Sequence, residues 1–212
     1  LEANKDADII IGPYDRDQLK LAAQFGKQNK ITVISPWQSS SKVAQDNPYY
    51  VQLKPNIKSY MKALVDHALK NYSPDQLFVI GRETNGSDKK MMEYIQRYAK
   101  AKSGSDINEF FVNADSLLNG ETAYDSIFYS YDRSAFILPN YSFKSDESFI
   151  YSAVRKLGSE KGFTDVKLYG MPILLDSDKI EFAHYRSLQM RVARSEWVDR
   201  KAPNIKAFRK RY

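Results

Sequence analysis

The sequence of 212 residues contains no cysteine, only two histidines and no long apolar run. The absence of cysteine excludes disulfide frameworks, thiol nucleophiles and cysteine-ligated zinc or iron–sulfur sites. His67 and His184 alone give little basis for a histidine-rich metal site. No stretch approaches the ~20 apolar residues that a membrane-spanning helix needs. The sequence therefore predicts no metal, no other cofactor and no membrane span.

An excess of charge of one sign is also lacking, except near the end of the chain. Residues 186–212 carry nine lysines and arginines against two acidic residues, whereas the remainder carries 23 basic and 24 acidic residues. A nucleic-acid-binding surface would place basic residues among aromatic ones on one face. Ile205 and Phe208 are instead spaced as the apolar stripe of an amphipathic helix. The segment therefore predicts a solvated terminal helix and no nucleic-acid partner.

What the sequence does have is an alternation of short apolar runs and amphipathic segments. Predicted strands cover residues 8–11, 31–34, 49–53, 77–80, 109–112, 135–138, 166–169 and 188–193. Predicted helices cover segments that begin near 15 and at 87, and residues 56–71, 123–128, 145–157, 178–185 and 203–212. Apolar strands separated by single helices indicate parallel sheets covered on both sides. The predicted fold class is doubly wound α/β.

The loops that follow the strands are the candidate site, because doubly wound sheets bind ligands outside the carboxyl ends of their strands. We expect eight side chains of these loops to face a ligand-binding cleft: Tyr14, Asp15, Trp37, Ser39, Ser40, Glu83, Asn140 and Tyr141. Their hydroxyl, amide and carboxylate groups would hydrogen-bond a polar solute, and their aromatic rings would supply apolar walls. Turn formation, helix capping and packing explain the same residue types and stay open as alternatives.

No catalytic constellation is apparent in these loops. Residues 81–86 match the spacing G-x-x-x-x-G, but Ser87 and Asp88 follow where a phosphate loop needs lysine and a hydroxyl residue. A carboxylate there would repel phosphate, and capping of the next helix by Ser87 or Asp88 is the better interpretation. The serines at 35–41 lie in no G-x-S-x-G elbow. The sequence therefore predicts a binding protein with no catalytic residues rather than an enzyme.

Several short motifs follow one another along the whole chain. They are DIIIGP at 8–13, KITVISP at 30–36, NPYYVQL at 47–53, QLFVI at 76–80, LYGMP at 168–172, WVD at 197–199 and IKAFRKRY at 205–212. In this order they resemble the type I periplasmic binding proteins, the class of the branched-chain amino-acid receptors. The resemblance implies two doubly wound parallel-sheet lobes joined by crossing strands, with a ligand cleft between them.

Placed on this chain, the resemblance implies a first lobe at 1–54 and 195–212, a second lobe at 55–190 and a crossing segment at 191–194. The first lobe is expected to be incomplete, since domains of the family begin with strand–helix units that would precede Asp8 and continue beyond Tyr212. Closure would be a hinge motion near residues 53–56 and 190–195.

The resemblance implies an extracytoplasmic receptor, in the service of an ABC transporter, that closes two lobes around a small polar solute such as an amino acid or peptide. Amino-acid specificity does not carry over, because Tyr14, Asp15 and Arg16 stand where the amino-acid receptors have serines. The resemblance extends to envelope proteins in which such a domain is fused to peptidoglycan-binding modules, and to outer-membrane lipoproteins that regulate cell-wall synthases. An interaction module with a cell-wall protein as partner is therefore the alternative, and both readings predict a periplasmic or outer-membrane-tethered protein.

Overall fold

The computed structural model describes residues 5–37, 41–119, 124–195 and 201–211. Its internal contacts divide the chain into two compact units, Leu1–Ser59 and Tyr60–Tyr212. Both units contain parallel sheets, so the predicted α/β class is confirmed. These contacts count residues 195–212 with the second unit, and the assignment of that segment to a first lobe stays a prediction.

The first unit is a three-stranded parallel sheet in the order β1–β2–β3. Its strands are β1 (Ile9–Ile11), β2 (Thr32–Ser35) and β3 (Tyr50–Gln52). Its helices are α1 (Arg16–Asn29) and α2 (Ser41–Ala44). The core of the unit consists of Leu19, Ala22 and Ala23 from α1, packed with Val33 and Tyr50 from the sheet. The apolar side of the amphipathic helix α1 thus covers one face of the sheet.

The second unit is a five-stranded parallel sheet in the order β5–β4–β6–β7–β8. Its strands are β4 (Leu77–Arg82), β5 (Asn108–Val112), β6 (Arg133–Leu138), β7 (Asp165–Gly170) and β8 (Arg191–Val192). Helix α3 (Ile57–Leu69) leads into this unit. The other helices are α4 (Gly86–Ser103), α5 (Ala114–Leu118), α6 (Asp125–Ser130), α7 (Glu147–Glu160), α8 (Ile173–Asp176), α9 (Phe182–Ser187) and α10 (Pro203–Arg211). Strand order reverses beside β4, so the carboxyl ends of β4 and β6 form the topological switch point.

Helix α1 begins where the sequence predicts. The Asp15 side chain accepts hydrogen bonds from the backbone N–H groups of Asp17 and Gln18 at 3.0 and 2.9 Å, which satisfies two donors of the first turn. The short helices α2, α5 and α8 are not among the predicted helices, because four or five residues show no readable periodicity. Within the described residues no helix is long and apolar enough to span a membrane.

Gly26 lies where α1 approaches the chain entering β2. A Cβ atom added at Gly26 would lie 2.6 Å from the carbonyl oxygen of Ile31 and 2.6 Å from Cγ2 of Val33. We expect Gly26→Ala to lower the free energy of unfolding of the first unit by about 1–3 kcal/mol, because overpacking against backbone outweighs the better helix propensity of alanine. Urea unfolding would measure the change.

The matched control is Gly86→Ala in the first turn of α4, where an added Cβ would meet no atom within 4 Å. This variant should be as stable as the parent protein or slightly more stable. If Gly26→Ala and Gly86→Ala lowered the free energy of unfolding equally, a steric clash at Gly26 could not be the cause.

Candidate functional site

An ionic network lies at the switch point of the second unit. Arg82, the last residue of β4, donates from Nε and Nη2 to the two carboxylate oxygens of Asp88, each at 2.8 Å. Its Nη2 also donates to Oδ1 of Asp146 at 2.6 Å, and its Nη1 donates to the carbonyl oxygen of Ser145 at 2.9 Å. The guanidinium carbon lies 4.9 Å from the centre of the Phe149 ring. One cation therefore joins the end of β4 to α4, which follows it, and to the start of α7, which follows β6.

Asp88 is the buried centre of this network. It is completely inaccessible to solvent, and its carboxylate also accepts from the backbone N–H of Arg82 at 2.8 Å and from Nδ2 of Asn140 at 3.0 Å. The predicted capping of α4 by Ser87 or Asp88 is wrong. Asn85 caps the helix, since its side-chain oxygen accepts from the backbone N–H groups of both residues. The Asp88 side chain is thereby left to pair with Arg82.

Asp146 fixes the loop that follows β6. Its Oδ2 atom accepts from the backbone N–H groups of Tyr141 and Ser142 at 3.2 and 2.9 Å. Its Oδ1 atom accepts from Arg82 and from Oγ of Ser145 at 3.0 Å. A side chain 64 positions away in sequence from Arg82 thus ties residues 141–146 to the end of β4.

The network changes the pKa values of its members. Hydrogen bonding to Asp88, together with that to Asp146, raises the pKa of the Arg82 guanidinium against the opposing effect of burial. Burial acts to raise the pKa of Asp146, but the hydrogen bonds from Ser142, Arg82 and Ser145 outweigh it and hold the pKa below its ordinary value. A carboxyl whose pKa is lowered by folding stabilises the fold above its unfolded pKa, and this contribution is lost as pH falls through the folded value.

The second-unit residues of the predicted site lie in two different environments. Asn140 is 1% exposed, and its Oδ1 atom has no hydrogen-bond partner within the described part of the chain. Glu83 is exposed in the turn after β4, and Tyr141 is 41% exposed after β6. The role of Asn140 seen here is to support Asp88, whereas Glu83 and Tyr141 are accessible to a ligand.

The first-unit residues of the predicted site lie after β1 and β2. The rings of Tyr14 and Trp37 are in contact, with centroids 5.9 Å apart and planes inclined at 54°, and the residues are 69% and 50% exposed. Asp15 is engaged as the cap of α1. Ser39 and Ser40 lie outside the described residues. Among the predicted site residues of the first unit, the structure therefore brings Tyr14 and Trp37 into contact.

The network of Arg82, Asp88 and Asp146 was not predicted from the sequence. Nothing in the local pattern links residue 82 to residue 146, since the pairing depends on strand order. Phe143 was not among the predicted site residues, although it lies in the same loop after β6 as Asn140 and Tyr141, and it is 52% exposed. Among the described residues no three acidic or histidine side chains are arranged to hold a metal ion.

Part of the chain matches a known family of proteins. Residues 1–104 match the family model described as the receptor family ligand binding region. No curated protein sequence matches the chain.

Solved structures share the fold over essentially the whole chain. An ABC transporter substrate-binding protein from Desulfitobacterium hafniense is 15% identical, with a TM-score of 0.62 over all of this chain and 60% of that one. LpoA from Haemophilus influenzae is 12% identical, with a TM-score of 0.59 over 99% of this chain and 37% of that one. Its C-domain, described as a regulator of PBP1A, is 10% identical, with a TM-score of 0.56 over 99% of this chain and 63% of that one.

This chain thus spans 60% of the length of the substrate-binding protein. The matched family and these structures are binding, receptor or regulatory proteins. The fold of this chain is therefore type I periplasmic binding protein-like, as the order of its motifs predicts.

Proposed function

We propose that the protein is a non-enzymatic solute-binding domain that works outside the cytoplasm and holds a small polar ligand with its strand-end loops. The observation that carries this proposal is the switch point of the second unit, where Arg82 and Asp146 fix the loop after β6. Ligands of open parallel sheets bind at such a point. A loop held in place before binding loses less conformational freedom when the ligand arrives.

The likeness to substrate-binding proteins supports a solute as small as an amino acid. A structure described as an ABC transporter substrate-binding protein from Desulfitobacterium hafniense in complex with Leu is 15% identical to this chain, with a TM-score of 0.56. We propose Tyr14 and Trp37 in the first unit, and Glu83 and Tyr141 in the second, as ligand contacts. Asp15, Ser39, Ser40 and Asn140 complete the set expected from the sequence.

A second candidate function is an interaction module of the cell envelope. It is favoured by the likeness to LpoA, which covers 99% of this chain, and whose C-domain is described as a regulator of PBP1A. In that case the same strand-end loops would contact a cell-wall protein instead of a solute.

A thermal-shift screen against amino acids, dipeptides and monosaccharides tests the first candidate. A true ligand at a hundredfold excess over its Kd adds about 2.7 kcal/mol to the free energy of unfolding. We expect at least one solute to raise Tm in a concentration-dependent manner, and Tyr141→Ala to reduce that shift.

Tyr129→Ala is the control for this screen, because Tyr129 is 90% exposed on α6, away from the strand-end loops. It should leave the ligand-induced shift unchanged. No shift with any solute, together with specific capture of a cell-wall synthase, would replace the first candidate by the second.

A further inference from the structure

Basic side chains surround one buried tyrosine of the second unit. Tyr72 lies between α3 and β4 and is only 4% exposed. The guanidinium carbon of Arg133 lies 4.4 Å from the centre of its ring, and the ammonium nitrogen of Lys167 lies 5.5 Å from the same centre. Arg133 begins β6 and Lys167 lies in the amino-terminal half of β7, so both are remote from the loops that follow these strands.

The register of the sheet adds a third cation to this group. Paired residues of neighbouring strands, and every second residue along each strand, lie on the same face. By this rule one face of β6–β8 carries Arg133, Lys167, Tyr169 and Arg191. We call Tyr72 and the three cations of this face the basic cluster.

Tyr169 lies within the electrostatic field of this cluster. Burial raises the pKa of the Tyr169 hydroxyl to about 12, and the neighbouring Tyr72 hydroxyl adds to the rise. The positive charges of Arg191 and Arg133 act against it. Because such effects weaken with distance, the two hydroxyls and the two guanidinium groups lie near one another.

Two polar groups of the basic cluster lack hydrogen-bond partners. The Tyr72 hydroxyl is buried and forms no hydrogen bond within the part of the chain that the structure describes. The Lys167 ammonium is half-buried, and among the described residues it lies over the Tyr72 ring without a hydrogen bond or an ion pair. Both arrangements cost free energy, and a bound anion would give both groups a partner.

Acidic side chains do not balance the charge of the basic cluster. The carboxylate that shares its face is that of Asp165, which accepts from Nε2 of Gln189 at 2.6 Å and pairs with Arg133 at 3.7 Å. Arg191 donates from Nη1 to the carbonyl oxygens of Gln189 and Met190, which are uncharged. Three cations therefore share one carboxylate.

We infer that the basic cluster binds a phosphate group, at a site separate from the strand-end loops and independent of the proposed function. A tetrahedral phosphate has enough oxygen atoms to accept from Lys167, from the Tyr72 hydroxyl and from a guanidinium group together. Guanidinium groups match the geometry of phosphate oxygens, and an ammonium group adds a compact charge. A free phosphate ion and the headgroup of an anionic lipid share this chemistry.

Calorimetric titration with inorganic phosphate tests the inference, with thermal unfolding in phosphate and in chloride of equal ionic strength beside it. We expect saturable binding and a higher Tm in phosphate. Lys167→Met and Tyr72→Phe should each weaken the Kd for phosphate roughly tenfold or more, since each removes a hydrogen bond to a charged group. Without phosphate, Tyr72→Phe should be at least as stable as the parent protein, because it removes a buried hydroxyl that has no partner.

The matched control is Lys62→Met. The Lys62 ammonium also lies over a tyrosine ring, 5.3 Å from the centre of Tyr98, but Lys62 is exposed and the Tyr98 hydroxyl donates to Asp66. This variant should leave the Kd for phosphate unchanged. Equal weakening by Lys62→Met and Lys167→Met would overturn the inference, because a general effect of positive charge would then explain the binding.

Vesicles of phosphatidylcholine with and without phosphatidylglycerol distinguish the two sources of phosphate. Co-sedimentation that requires phosphatidylglycerol, Lys167 and Tyr72 supports a lipid headgroup, and binding of inorganic phosphate without co-sedimentation supports the free ion. If phosphate neither binds nor raises Tm and the vesicles do not bind, the inference is wrong. Solute binding by the strand-end loops would stand in that case, since no residue of the basic cluster belongs to them.

Discussion

Arg82→Met is expected to lower the free energy of unfolding of the second unit by about 3–5 kcal/mol. The substitution keeps an unbranched side chain but removes the cation bonded to Asp88 and Asp146, whose side chains are only 0% and 7% exposed. Two buried carboxylates would then face each other without the charge that compensates them. Urea unfolding, with hydrogen exchange of the β4 and β6 amides to assign the loss to this unit, measures the effect.

The matched control is Lys100→Met. The Lys100–Asp106 ion pair has the same 2.8 Å separation, but each side chain is 60% exposed, so its loss should cost less than about 1 kcal/mol. The difference between the parent protein and Arg82→Met should also shrink as pH falls through the lowered pKa of Asp146, since a protonated carboxyl no longer needs the cation. If Arg82→Met and Lys100→Met lowered the free energy of unfolding equally, burial of the ion pairs of Arg82 could not explain the large effect of its loss.

Phe136→Ala is expected to lower the free energy of unfolding by about 3–5 kcal/mol, because it opens a cavity at the centre of the second unit. The Phe136 side chain is fully buried and stacks on Phe78, with centroids 5.4 Å apart and planes inclined at 25°. The rings of Tyr124 and Phe128 are steeply inclined to it, at 81° and 68°, each with a centroid distance of 6.0 Å. Thermal and urea unfolding would both record the loss.

Phe163→Ala is the control for the core variant, because Phe163 is fully exposed in the turn before β7. Its stability should stay within about 0.5 kcal/mol of the parent protein. A comparable loss at both positions would mean that the aromatic cluster is not the centre of the core.

The elements that the sequence predicted well are those whose pattern is local and long enough to read. The apolar run at 135–138 lies within β6, and the amphipathic pattern at 56–71 contains α3. Asp15 caps α1, which is the capping alternative that the sequence left open, and a cap depends only on a neighbouring side chain and backbone. Strand β8 is shorter than the predicted 188–193, since its pairing with β7 covers only two residues.

The candidate site depends on partners that are distant in sequence. Arg82 is bonded to Asp146 because β4 and β6 are neighbours in the sheet, a pairing that local periodicity does not specify. Asn140, one of the expected ligand contacts, donates from its side-chain nitrogen to Asp88. An asparagine can contact a ligand or support a buried carboxylate, and only the three-dimensional position of its partner distinguishes these two roles.

The sequence by itself determined the α/β class, the order of the strands and of the longer helices, and the loops in which ligand contacts are expected, because periodicity acts over a few residues. Tertiary structure alone decided which polar groups of those loops are engaged and which aromatic rings stay exposed. The physical reason is that a buried charge must find its partner in space, and the fold brings together Arg82, Asp88 and Asp146 from three separate segments.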